Sequence, residues 1–161
     1  MEERPIYGIY YCSCVGDYLR IVEEQLSALC YKINGSLSLY EKTKTILFFV
    51  CEYNKNNKKK LNKLIQNYDV DDKFILYTSS ENLYEKFAIN NYKNQIDDEL
   101  YYVYYFNSKG IMRPENSVFN DIRRILDFYT LLKYEINLEL LKKYDAIGCT
   151  SPAGMRISPE G

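Results

Sequence analysis

The chain has 161 residues, of which 47% are hydrophobic and 27% are charged, so it has the size and composition of one globular domain. The formal net charge of −1 argues against a nucleic-acid partner or an anionic membrane surface. The chain contains no histidine, which excludes Ser-His-Asp and Cys-His nucleophilic catalysis and the HExxH zinc site. Acid–base chemistry, if there is any, is left to Asp, Glu, Lys, Tyr or Cys.

Cysteine and tyrosine usage indicates a compartment and an origin. The five cysteines are odd in number and lie mostly in apolar runs, and no signal peptide is seen, so buried free thiols in a cytoplasmic protein are expected. Eighteen tyrosines and no tryptophan are typical of an AT-rich genome such as that of a large DNA virus, which would place the protein in the host-cell cytoplasm. The longest apolar run without a tyrosine, Ile46–Cys51, is too short to span a membrane.

In the first half of the chain, strands and helices are predicted to alternate. A strand is predicted over Ile6–Cys12, followed by a helix that Asp17 caps and that continues to Ile33. Thr45–Cys51 reads as a second buried strand and Asn54–Tyr68 as a lysine-rich helix with a solvated face.

The second half continues the alternation. A third strand is predicted over Lys73–Thr78, with a helix beginning at Ser80, and a fourth over Glu99–Phe106. The remaining predicted elements are a helix capped by Ser117, a short helix capped by Asn137 and a final strand over Tyr144–Cys149.

This order predicts an α/β fold, with a mostly parallel sheet of four or five strands and helices on both faces. Residues 1–150 form one domain in this reading. Residues 151–161, rich in Pro, Gly and Ser, form an irregular or disordered tail, or mark a truncated chain.

Neither phosphate-binding signature, GxGxxG or GxxxxGK[ST], is present. Asp69 and Asp71 form an Asp-x-Asp pair that could hold Mn²⁺ or Mg²⁺, although they precede the third strand and a solvated acidic turn is the simpler interpretation. No organic cofactor is predicted.

The better-placed candidate site is the turn Asn107–Gly110, because it follows a strand and parallel α/β sheets bind ligands at the carboxyl ends of their strands. Lys109 would neutralise a phosphate, and Gly110 would allow close approach of the backbone. Asn107 and Ser108 would supply neutral hydrogen-bonding groups.

Three motifs in chain order resemble a family of viral and bacterial glycosyltransferase-like proteins with an A-type fold. Tyr104–Gly110 resembles the family's YIHTKG, with Asn107 in place of the His. Asp121–Arg123 resembles DWR, and Tyr144–Cys149 resembles YDxVG. A weaker match is Glu24–Leu26 in the first helix, which is similar to the family's EQL.

The resemblance implies the Rossmann-like, nucleotide-binding half of an A-type glycosyltransferase. The implied activity is transfer of a sugar from a nucleotide-diphosphate-sugar donor to a glycan or protein acceptor. The implied donor-binding residues are Asn107, Ser108, Lys109, Gly110 and Arg123, and no catalytic residue is identified. A buried ion pair of Arg123 with Asp121 or Asp145 is an equally good interpretation of that arginine.

A second hypothesis is a truncated or degenerate module that binds a nucleotide or a partner without catalysis. The loss of the motif His at Asn107 and the absence of the family's Gly- and Trp-rich segment after the last strand favour it.

Overall fold

The computed structural model of the chain describes residues 4–33, 35–109, 111–113 and 115–148. Its centre is a sheet of four parallel strands in the order β3-β2-β1-β4. The strands are β1 (Ile6–Ser13), β2 (Thr43–Cys51), β3 (Phe74–Thr78) and β4 (Tyr102–Asn107). The prediction of an α/β fold with a parallel sheet is confirmed.

Six α-helices connect and flank these strands in the described part of the chain. They are α1 (Tyr18–Leu29), α2 (Leu39–Lys42), α3 (Lys55–Asn67), α4 (Lys86–Asn91), α5 (Val118–Asp127) and α6 (Tyr134–Leu141). A π-helical turn, Phe128–Leu132, joins α5 to α6, and two 3₁₀ turns, Asp71–Lys73 and Tyr92–Gln95, precede β3 and follow α4. Among the described residues, no helix has the length and apolar character needed to cross a bilayer.

Two hydrophobic cores lie on opposite faces of the sheet, because alternate side chains of the buried strands β1 and β2 point to opposite sides. One core contains Tyr10, whose ring stacks between Phe48 of β2 and Phe106 of β4 at centroid distances of 4.3 and 4.1 Å. Helices α1 and α3 and the α5–α6 region cover this face. On the second face Phe49 packs against Phe87, just inside α4.

Gly8 is needed where β1 and β4 pair. It lies opposite Tyr104 in the register, and a Cβ at this position would be 2.6 Å from the Tyr104 hydroxyl oxygen. The absence of a side chain at Gly8 therefore gives the Tyr104 ring its place in the core.

Three predicted elements are wrong in extent or type. The first helix ends at Leu29 and not at Ile33, since Leu29 is its last fully buried side chain and Tyr31 is exposed. No helix begins at Ser80, because the backbone of Ser79 bonds to Val50 and Tyr53 and holds this segment against the end of β2. The short helix predicted from Asn137 begins earlier, at Tyr134.

The predicted final strand is also wrong over the residues that the structure describes. Residues 144–148 are exposed and do not pair with β4. Its apolar residues, Tyr144, Ala146 and Ile147, are all exposed, so no buried face is available to hold the run against the sheet. Cys149 and the predicted tail, 151–161, lie outside the described residues.

Candidate functional site at the carboxyl edge of β1 and β4

The sheet has a topological switch point between β1 and β4. From β1 the chain adds β2 and then β3 on one side, and it returns to add β4 on the other. Open α/β sheets bind ligands at such a switch point, outside the carboxyl ends of the two strands. Here that position lies between Ser13 at the end of β1 and Asn107 at the end of β4.

The β1–α1 loop forms one side of this position. Gly16 has φ +52, and a Cβ there would be 2.5 Å from the carbonyl oxygen of Ile111, so this loop touches the segment that follows β4. Asp17 precedes α1, but its side chain does not accept a hydrogen bond from the first turn of the helix. The main-chain hydrogen bonds of α1 begin with the amide of Ile21, which donates to the Asp17 carbonyl. The first-turn amides of α1 therefore point towards this edge without a capping side chain.

The Asn107–Lys109 turn forms the other side. The Asn107 side-chain oxygen accepts from the Lys109 amide at 3.0 Å, and its side-chain nitrogen donates to the Tyr105 hydroxyl at 3.2 Å. Lys109 is exposed and forms no ion pair with any residue in the described part of the chain. An unpaired cation therefore lies in the turn that follows β4, beside the switch point. Gly110 lies outside the described residues.

Ser108 is directed into the protein. It is 5% exposed, its amide donates to the Tyr11 carbonyl at 3.0 Å, and its side chain lies against the Cys12 thiol. Burial is the main cause that raises the Cys12 pKa far above its ordinary value, which keeps this thiol protonated. Ser108 therefore fixes the end of β4 to β1, and its hydroxyl does not face the solvent.

Arg123 is the most buried charged residue of the region, at 1% exposure. Its guanidinium pairs with Glu24 at 2.7 Å and with Asp127 at 3.3 Å. The sequence-based expectation of an ion pair is correct, but the partners are Glu24 and Asp127, not Asp121 or Asp145. These partners come from α1 and from one turn further along α5.

Gln25 connects this ion pair to the end of β4. Its side-chain nitrogen donates to the Asp127 carboxylate at 3.0 Å and to the Asn107 carbonyl at 2.8 Å, and its oxygen accepts from the Tyr10 hydroxyl at 2.7 Å. We call Tyr10, Gln25, Asp127, Arg123 and Glu24 the α1–α5 network. It holds the predicted turn in place through the main chain of Asn107.

The charges in this network are set by burial and pairing. Burial raises the pKa of Asp127 to about 6, against the opposing effect of hydrogen bonds from Gln25 and Arg123. Burial works in the same direction on Glu24, but hydrogen bonds from Arg123, Arg124 and Arg20 outweigh it and lower its pKa. Glu24 is therefore the permanent counter-ion of Arg123, while Asp127 titrates near neutral pH.

The β1–α1 loop has further hydrogen-bond partners, which come from the end of β2 and from α3. Ser13 donates a hydrogen bond to the carboxylate of Glu52, which follows β2 with φ +55. Asn57 of α3 donates to the carbonyls of Cys14 and Glu52 at 3.4 and 3.0 Å. The one signal in the sequence is that Asn57 and Gln25 are polar residues at positions that helical spacing assigns to buried faces.

Asp69 and Asp71 are far from this position along the strand direction. Both precede β3, so they lie at the amino edge of the parallel sheet, whereas Asn107 and Lys109 lie at the carboxyl edge. Asp69 has φ +53 and its amide donates to the Gln66 carbonyl in the turn after α3. Among the residues that the structure describes, no group of three or more Cys, Asp or Glu side chains has the geometry to hold a metal ion.

Comparison with known proteins identifies no relative of the chain. No protein-family model matches the chain, and neither a curated protein nor a solved structure shows significant similarity to it. The described residues form an α/β fold with four parallel strands.

Proposed function

We propose that this domain binds a nucleoside diphosphate, as the leaving part of a nucleotide-sugar donor, at the carboxyl edge between β1 and β4. The observation that carries the proposal is an unpaired cation, Lys109, at the topological switch point of a parallel sheet. The resemblance of the Tyr104–Gly110, Asp121–Arg123 and Tyr144–Cys149 motifs to glycosyltransferase-like proteins supports the choice of ligand.

The diphosphate would lie between the first turn of α1 and Lys109. Main-chain amides at the start of a helix favour an anion, and the lysine adds a full positive charge. Asn107 presents a neutral amide beside them, already oriented by its bond to the Lys109 amide. The α1–α5 network would act at a distance, by fixing the carbonyl of Asn107 through Gln25.

In the transfer, the oxygen of an acceptor hydroxyl forms a bond to the anomeric carbon while the bond from that carbon to the nucleoside diphosphate breaks. The hydroxyl proton passes to the departing diphosphate or to water. Lys109 would stabilise the negative charge that develops on the departing diphosphate. A divalent ion often assists such departure, but Asp69 and Asp71 do not fit this task because they lie at the opposite edge of the sheet. We therefore derive no step through a metal.

Thermal unfolding of residues 1–161 with UDP, GDP and their sugars, each with and without Mn²⁺, tests the proposal. A ligand at about one hundred times its dissociation constant adds roughly 2.7 kcal/mol, which raises the melting temperature of a domain this size by about 5–10 °C. Lys109→Ala should abolish the shift. Lys93→Ala, which removes an exposed lysine in the turn between α4 and β4, is the matched control and should retain it.

If no nucleotide changes the melting temperature, or if both alanine variants respond like the wild type, the proposed site is wrong. A shift that Lys109→Ala abolishes, together with release of UDP from UDP-sugars by the wild type, would support a transferase.

A second candidate function is a non-catalytic binding module. Two of the predicted donor-binding residues, Ser108 and Arg123, are committed to internal contacts, and Asn107 replaces the family's His. Nucleotide binding without turnover of any nucleotide-sugar, over a panel of glycan and peptide acceptors, would favour this module over the transferase.

A further inference from the structure

The open edge of β4 exposes main-chain hydrogen-bonding groups. The amides of Tyr102 and Ser108 donate to carbonyls of Pro5 and Tyr11, at 2.9 and 3.0 Å, on the β1 side. The main-chain groups of successive residues in a strand point in alternate directions. The main-chain amides and carbonyls of Val103 and Tyr105 therefore point away from β1. Within the described residues, β4 pairs with β1 alone.

This edge lacks the usual protection against pairing. Exposed edges generally carry a charge, a proline or a covering element, because free main-chain groups bind other strands. Residues 101–107 contain neither a charge nor a proline, and four of the seven are tyrosines. The opposite edge strand, β3, in contrast follows Asp72 and Lys73.

A groove of about 570 Å³ runs along the same edge. One wall is β4 itself, and the other is formed by α6, through Tyr134, Leu138 and Leu141, and by residues 145–148. The side chains of Val103 and Tyr105 remain 40% and 37% exposed beside it. The groove therefore combines an unpaired ladder with apolar walls.

Arg123 lines the same groove and has a donor without an acceptor. Its Nε is buried and has no hydrogen-bond partner, while its other two nitrogens pair with Glu24 and Asp127. A buried donor left without an acceptor destabilises the folded protein. With two carboxylates already at the guanidinium, the missing acceptor is expected to be neutral, such as a main-chain carbonyl.

We propose that this groove binds an extended strand of a partner polypeptide, which adds to β4 as a fifth strand. Its main chain would bond to Val103 and Tyr105, and its apolar side chains would meet α6. One of its carbonyls would accept from Arg123 Nε once the side chains that enclose this nitrogen open towards the groove. A single strand fits better than a second copy of this chain, because the β4 of a second copy is flanked by the same α6 and residues 145–148. This inference is independent of the proposed nucleotide site.

The test uses a fluorescein-labelled peptide of alternating valine and threonine, about ten residues long with lysine at each end, and follows its anisotropy. Val103→Pro removes an outward amide and leaves the ladder to β1 intact. Thr78→Pro is the matched control: Ser79 donates inward to Val50, so the amide of Thr78 faces outward on the β3 edge. The circular dichroism spectrum of both variants should match the wild type.

We expect the peptide to bind the wild type and Thr78→Pro equally. Val103→Pro should weaken binding about fivefold or more, as expected for the loss of one or two hydrogen bonds. A peptide that is N-methylated on two adjacent central residues should not bind. Amide exchange at Val103 and Tyr105 should slow when the unmethylated peptide is present.

Several results would overturn the proposal. One is absence of peptide binding, and another is equal binding by Val103→Pro or by the N-methylated peptide. A dimer seen by sedimentation that Val103→Pro dissociates, without peptide binding, would instead make a second copy the occupant.

Discussion

Asp127 gives the folded protein a pH dependence of an unusual sign for a carboxylate. Its pKa is raised by burial from an ordinary 3.8 to about 6, so the folded state binds a proton more tightly than the unfolded state. The contribution of this proton to the free energy of unfolding is fully present below about pH 4 and is lost as the pH rises through about 6. Paired carboxylates with lowered pKa values, such as Glu24 and Asp98, act in the opposite direction.

The size of the effect follows from the interval between the two pKa values. Each pH unit between 3.8 and about 6 corresponds to about 1.4 kcal/mol, so the full loss is about 3 kcal/mol. Asp127→Asn removes the titrating group and keeps a similar shape. The difference in unfolding free energy between wild type and variant isolates Asp127, because the other carboxylates contribute equally to both proteins.

Urea denaturation at a series of pH values between about 4 and 8 measures this difference. We expect the stability of the wild type relative to Asp127→Asn to fall by about 3 kcal/mol as the pH rises over this interval. Asp121→Asn, the same substitution at an exposed position of the same helix, is the matched control for the change of residue type. If the difference in unfolding free energy stays constant or rises with pH, burial does not outweigh the hydrogen bonds from Gln25 and Arg123 in setting the pKa of Asp127.

Three substitutions test the packing of the fold by urea denaturation. Gly8→Ala should destabilise the protein by about 1–3 kcal/mol, because its Cβ would overlap the Tyr104 hydroxyl, and Tyr104→Leu in the same chain should recover part of that loss. Ser38→Ala should cost about 1 kcal/mol, because Ser38 and Glu41 form a capping box at the start of α2; an unchanged midpoint would count against this cap. Leu26→Ala should cost about 2–5 kcal/mol, because Leu26 is fully buried, and a loss below about 1 kcal/mol would contradict that burial.

The central strands could be predicted from the sequence because their burial is continuous. All eight residues of β1 and the last six of β2 are buried, so their apolar runs carry the signal of a strand covered on both faces. The start of α3 is equally local, since the Asn54 side chain accepts from the amides of Asn56 and Asn57.

The wrong predictions lie in segments whose conformation depends on tertiary contacts. The segment after β3 has a helical pattern, but hydrogen bonds to the end of β2 hold it in another conformation, with Tyr84 at φ +54. Residues 144–148 have the residue types of a strand but lack a buried face. Neither fact is contained in the local sequence.

The candidate site likewise has one part that could be predicted from the sequence and one part that could not. The turn at Asn107–Lys109 could be located because it follows a recognisable strand. The α1–α5 network could not, since Gln25 and Asp127 are 102 positions apart in the chain and the partner of Arg123 comes from α1. Glu24 and Gln25 come from α1 and Arg123 from α5, and only the folded structure brings them into one network.

The chemical shifts of backbone amides in solution can show where UDP binds to the protein. We predict that UDP shifts the amides of Gly16–Arg20 and Asn107–Lys109 most, and that Lys109→Ala removes these changes while Lys93→Ala preserves them. Changes centred on the turn at Asp69–Lys73, or no changes at ligand concentrations that saturate known nucleotide sites, would contradict it.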